Sequence, residues 1–275
     1  MHEHEEARYW NEEGGERWVQ YIDQLERMLE PLTGRLFEAL AVKAGEVVLD
    51  IGCGGGPTTE KLARQVGPEG RALGVDISAK ILSMAEQRFG DIAQLEFLRA
   101  DAGTHHFDSQ FDLISSRFGV MFFPEPEKAF ANLAAAAKST GRLIFLCWQP
   151  LDQNPWMLAP AQAAFEHVEP PAKPAPGAPG PFSLASVERT ESLLSSVGFG
   201  DIQIEPVTTE MNLGAPDQAL DLLTKVGPAA APLREANSQQ REAALQAMRA
   251  VLDDASDAGE VRFPGAAWLV SATIN

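Results

Sequence analysis

The chain has 275 residues, 45% of them hydrophobic, which is ample for a sizeable core and excludes disorder along its whole length. Its 39 acidic residues outweigh 22 basic ones for a formal charge of −17, so without a basic run it repels phosphate backbones and anionic lipid. Cys53 and Cys147 are too few for a disulfide framework or a paired-thiolate metal site.

In chain order, the opening His2-Glu3-His4-Glu5-Glu6 is acidic where a secretory leader is basic and then apolar, and a cytoplasmic location is the expectation. Residues 14–29 carry Trp18, Ile22, Leu25 and Leu29 on one helical stripe, predicted to break at Pro31. Leu32, Leu36 and Leu40 continue at four-residue spacing. Strands are predicted at 46–51, 71–76, 95–100, 111–116 and 141–148, alternating with helix-period segments, and that alternation means βαβ units and a parallel sheet. Pro57 opens one helix, Ser78 caps another that stops at Gly90, and Pro126 opens a third. The longest strongly apolar run, 143–148, is far short of the ~20 residues of a membrane span.

Residues 150–181 are crowded with Pro, Ala and Gly and are predicted to be an irregular loop, because Pro lacks the amide and fixes its φ. Helix returns at 186–197, a sixth strand at 202–209, helices at 216–226 and 238–253, and a last strand at 264–274. One domain over 1–275 is the simplest organisation. It comprises a helical cap at 1–40, a core at 41–150, a lid loop at 151–181, and C-terminal strands at 182–275 that carry a helical lid at 215–255.

The chemistry concentrates where the first strand ends, in Asp50-Ile51-Gly52-Cys53-Gly54-Gly55-Gly56-Pro57. Glycines there let a ligand lie against bare backbone and permit positive φ. A dinucleotide fingerprint begun at Gly52 needs glycine where Pro57 stands, and begun at Gly54 it needs glycine where Thr59 stands; no Gly-Lys-Ser/Thr follows for a P-loop. The remaining pattern, Asp50-x-Gly52-x-Gly54-x-Gly56, resembles the first motif of the class I S-adenosylmethionine-dependent methyltransferases. The texture is most similar to the ubiquinone and menaquinone pathway enzymes and related small-molecule methyltransferases. The likeness spans roughly residues 40–150 by motif and 186–275 by topology.

The resemblance implies an α/β, Rossmann-like fold: a seven-stranded, mostly parallel sheet with helices on both faces and the last strand antiparallel beside the fifth. It implies S-adenosylmethionine as cofactor, with Gly52, Cys53 and Gly54 around its methionine and ribose portions. Asp50 would fix the turn and, directly or through water, the ammonium group. Asp76 with Ile77 would take the ribose hydroxyls, Asp101 with Ala102 the adenine amino group, and the segment from Ser115 to Phe123 would line the transfer site, with Ser116 on the cofactor. The acceptor does not come with the fold.

Around that frame, Arg117 is a candidate for an acidic acceptor or the cofactor carboxylate, or for simple pairing with a carboxylate. Phe122, Trp18 and Trp156 are candidate walls for the acceptor. His106, beside His105 in a loop on the cofactor side, is the candidate general base, because Phe107 and Phe111 turn the chain inward there. His167 is a weaker one. His2 and His4 have metal-like spacing on a frayed terminus, and no metal is expected. The expected partner is a small, mostly apolar acceptor, without nucleic acid or membrane insertion. Alternatives are a non-catalytic S-adenosylmethionine-binding regulator and a protein methyltransferase; Pro57 argues against a nicotinamide oxidoreductase.

Overall fold

The computed structural model describes residue 8, residues 10–108 and residues 110–275. The sheet is built from β1 (Val47–Ile51), β2 (Arg71–Asp76), β3 (Leu95–Arg99), β4 (Phe111–Arg117), β5 (Ala137–Trp148), β6 (Phe199–Asn212), β7 (Ser256–Asp257) and β8 (Glu260–Ile274). Its order is β3-β2-β1-β4-β5-β8-β6, with the two-residue β7 paired to β8. β1 to β5 run parallel, whereas β8 lies antiparallel between β5 and β6. Apart from β7 this is the expected seven-stranded sheet.

The order reverses between β1 and β4, parallel neighbours from which the chain continues toward opposite edges of the sheet, so a crevice opens beyond their carboxyl ends. Parallel strands covered on both faces are mostly apolar, and β1 and β4 have only part-buried or fully buried positions. Phe111, Leu113, Phe130 and Phe145 are completely buried in this core.

Helices pack around the sheet: α1 (Glu13–Leu40), α2 (Pro57–Val66), α3 (Ala79–Phe89), α4 (Pro126–Ala136), α5 (Pro155–Phe165), α6 (Val187–Ser196), α7 (Pro216–Val226), α8 (Ala230–Glu235) and α9 (Ser238–Asp254). Ser78 caps α3, its hydroxyl accepting from the Ile81 amide. Asn237 and Gln240 form a capping box on α9.

Two expectations are overturned. α1 does not break at Pro31 but runs through it for 28 residues. Met28, Leu29, Leu32 and Leu36 are buried on either side, and their packing outweighs the single backbone bond that Pro31 deletes. The 150–181 segment is not wholly irregular, because Pro155–Phe165 is helical. Pro155 occupies the first turn, where an amide has no intrahelical partner. Fully buried Asn154 clips the helix start to β8, its amide donating to the Ala266 carbonyl at 3.0 Å and its carbonyl accepting from the Ala266 amide at 3.0 Å.

Candidate active site

The glycine turn adopts the conformation its composition permits, with φ of 64° at Gly52, 56° at Gly54 and 89° at Gly56. Gly52 crosses close to the loop after β4: a Cβ there would lie 2.8 Å from the Gly119 Cα. Ser116 sews the two together, its hydroxyl donating to the Ile51 carbonyl at 2.8 Å and accepting from the Gly119 amide at 3.0 Å. Asp76 joins the turn to β2, since Oδ2 accepts from the Gly54 amide and Oδ1 from the Ser78 amide, both at 2.9 Å. Asp50 sits beneath it, its Oδ2 accepting from the Thr58 and Thr59 hydroxyls at 2.6 and 2.7 Å.

Above this floor lies a cavity of about 590 Å³, within the ~300–1,000 Å³ common for small-molecule and cofactor sites. Gly52, Gly54, Asp76, Ile77, Asp101 and Ala102 line one end. Trp18, Phe118, Phe122, Trp148, Trp156 and Met157 line the rest. Trp10 meets Trp18 and Phe122 edge-on, with ring centres 5.9 and 5.5 Å apart. Phe118 stacks on Trp148 at 4.2 Å, and Trp148 tilts against Trp156 at 5.4 Å.

The glycine end is electrostatically poised for a cation. Burial pushes the Asp50 carboxyl up to about 6, although the two threonine hydroxyls and Arg117 pull the other way and Asp76 adds to the rise. Burial also raises Asp76, against the amides that stabilise its charge. Arg117, close by, forms a two-pronged ion pair with Glu26 and donates to the Thr33 hydroxyl at 2.9 Å, so its charge is already shared.

The structure thus brings Gly52, Gly54, Asp76, Ile77, Asp101, Ala102, Arg117, Phe122, Trp18 and Trp156 to one cavity. Asp50, Cys53 and Ser116 are not among its lining residues. They are buried supports: Asp50 faces the threonines of α2, Ser116 bonds backbone, and the thiol of Cys53 is driven far up by burial, which leaves it inert. His106 is not brought to the cavity. Its side chain is 90% exposed, 4.0 Å from the Asp108 carboxylate, and lines no part of the cavity. Phe107, packed edge-on to Phe111, turns inward at this loop, while the neighbouring His106 is exposed. His167 is exposed beyond α5 as well. His2 and His4 lie outside the described residues.

Within the segment expected to line the transfer site, the structure singles out Phe118, which has φ of 66°, costly for a bulky residue, and forms the stacked wall. A signal was present in the following Gly119, whose bare Cα lets the chain pass Gly52.

Residues 48–141 match the family model described as a methyltransferase domain. That stretch is an S-adenosylmethionine-dependent methyltransferase domain of class I. The domain holds β1 apart from Val47, the whole of β2 to β4, the glycine turn, Asp76 and Asp101. A demethylmenaquinone methyltransferase of Lactobacillus johnsonii is 32% identical to this chain over 116 residues, 41% of this chain and 48% of that protein. The chain therefore spans about half the length of the curated relatives it matches.

The methyltransferase domain also sits in a familiar fold. The YcgJ protein of Bacillus subtilis superimposes with a TM-score of 0.57 at 18% identity, covering 88% of this chain and 97% of that one. A phosphoethanolamine N-methyltransferase of Haemonchus contortus in complex with S-adenosyl-L-methionine gives 0.56 at 16% identity, covering 92% of this chain and 57% of that one. S-adenosylmethionine is the cofactor of such a domain. The residues fit it: a bare-backbone cradle between the buried carboxylate of Asp50 and the cavity-lining carboxylate of Asp76 suits a ligand carrying ammonium and sulfonium charges.

Proposed function

We propose that this chain transfers the methyl group of S-adenosylmethionine to a small, mostly apolar organic acceptor. The supporting observation is the single cavity in which an acidic, glycine-lined end continues directly into aromatic walls. In this reading Gly52 and Gly54 admit the methionine and ribose portions against backbone. Asp76 holds the ribose hydroxyls, with Ile77 beside it, and Asp101 with Ala102 receives the adenine. Asp50, Cys53 and Ser116 shape the turn from behind. Asp50 acts on the ammonium group through the field of its carboxylate.

The bound cofactor supplies a sulfonium methyl that is already a strong electrophile, so the protein's task is placement and exclusion of water. Trp18, Phe122 and Trp156 would hold the acceptor's lone pair within about 3–3.5 Å of the methyl carbon and keep the site dry. α1, with Trp18, and the strap after α5 cover the cavity, the latter fastened where the Gly180 amide and the Ser183 hydroxyl both donate to the Met121 carbonyl, at 3.1 and 2.6 Å. These are the segments that would open to admit an acceptor.

The demethylmenaquinone methyltransferase shares under half of this chain, so its acceptor is a candidate and no more than that. Incubating the purified protein with S-adenosylmethionine and panels of quinols, phenols, organic acids and amines, with mass detection, tests the reading. A product one methylene heavier from an apolar acceptor is expected; cofactor binding without any such product across the panel would contradict it.

A further inference from the structure

An acceptor must present a lone pair, and this cavity offers little to take a proton from it. Among the described residues lining it there is no His, Cys, Lys, Tyr, Ser or Thr, and its charged members are Arg17, Asp76, Asp101 and Arg117. Asp76 is engaged by the Gly54 and Ser78 amides, and Asp101 by the Gly103 amide at 2.9 Å and the Thr104 hydroxyl at 3.1 Å. Both carboxylates stand at the β2 and β3 side, where the cofactor is placed. The aromatic stack of Phe118 on Trp148 stands instead at the ends of β4 and β5.

Arg117 directly precedes that stack, and only 8% of its side chain is exposed. Its guanidinium carries five N–H donors in a rigid plane. Nη1 donates to Glu26 Oε2 at 2.7 Å and to Thr33 Oγ1 at 2.9 Å, and Nη2 donates to Glu26 Oε1. Two donors remain without a partner among the described residues, the Nε–H and the second Nη2–H. They lie along one edge of the plane, the fork geometry that matches an oxyanion. Glu26 and Thr33 already fix the group, so using that edge orders nothing further.

We infer that the acceptor enters as an anion, a phenolate, enolate or carboxylate on a planar apolar body, with its charged oxygen held on the free edge of Arg117. This rests on the methyltransferase reading and narrows it. The acceptor's own lone pair, on that oxygen or on a carbon conjugated with it, forms the bond to the methyl carbon. The carbon–sulfur bond breaks with its electron pair left on sulfur; attack through oxygen leaves no proton to remove, and after attack through a ring carbon the proton on that carbon is released to water as the ring rearomatises. A base is unnecessary because ionisation precedes binding.

Calorimetry with naphthoate and its neutral isostere naphthamide, each titrated into protein saturated with S-adenosylhomocysteine, tests this directly. The wild type is expected to bind naphthoate at least about tenfold more tightly. Arg117→Gln is expected to lose that preference while keeping its affinity for naphthamide and S-adenosylhomocysteine. Equal affinity for the two probes in the wild type, no binding of naphthoate, or a preference that survives in a folded Arg117→Gln protein would overturn it. Should that variant not fold, the wild-type comparison still decides. Failure of S-adenosylhomocysteine to bind the wild type would instead sink the methyltransferase reading itself.

Discussion

Asp50 and Asp76 stand near the ends of the paired strands β1 and β2, yet they do different work. Asp50 is closed off under the glycine turn, and Asp76 faces the cavity. Because burial raises Asp50 to about 6, its protonated form favours the folded apo-protein at low pH, and that contribution fades as pH rises from the ordinary carboxylate range through about 6. A cationic ligand favours the ionised form instead. Affinity for S-adenosylmethionine is therefore expected to weaken roughly tenfold from about pH 7 to about pH 5. Titrations across that range check it, and a flat profile would show that neither carboxylate senses the ligand. Gly52 is equally exacting: Gly52→Ala adds a Cβ 2.8 Å from the Gly119 Cα at a φ of 64°. The expected cost is about 1–3 kcal/mol of stability, read as a lower denaturation midpoint, with weaker cofactor binding.

At the scale of elements, the periodic core was legible and the prolines misled. Strands β1 to β5 announced themselves as short β-rich runs bounded by turn residues, and the caps of α3 and α9 were readable because side-chain capping is local chemistry. Pro31 and the Pro-rich stretch after β5 were misread because their helices are held by burial against distant strands, which no local window contains. Pro31 is exposed, so its deletion of one helical bond is not repaid by packing of its ring. Pro31→Ala is expected to raise the unfolding free energy by about 1–2 kcal/mol, the helical gain being partly offset by a more flexible unfolded chain. Chemical denaturation measures this, and an unchanged or lower midpoint would mean that the proline shapes α1 usefully. The site was legible to the same degree. Asp76, Asp101 and the glycines follow from a strand-end pattern, whereas the outward placement of His106 was not legible, because nothing local says which of several adjacent loop residues points inward.

For the molecule as a whole, strand order explains why chemistry sits where it does. The reversal between β1 and β4 opens one crevice, β2 and β3 supply its acidic end, and β4 and β5 supply its aromatic end. α1 and the strap after α5 close it from the sides, and the Arg117–Glu26 pair ties α1 to β4 at the join between the two ends. No helix among the described residues is long and apolar enough to cross a membrane. The net charge of −17 suits a cationic cofactor in the same way that the buried carboxylates do, at long range rather than in contact. The most direct test is a calorimetric titration of S-adenosylhomocysteine, with a nicotinamide dinucleotide as control, into the wild type and into Asp76→Ala. Saturable single-site binding of S-adenosylhomocysteine, absent for the dinucleotide and weakened about tenfold or more in the variant, is the expected result. Binding of the dinucleotide in its place, or affinity untouched by loss of Asp76, would contradict the account.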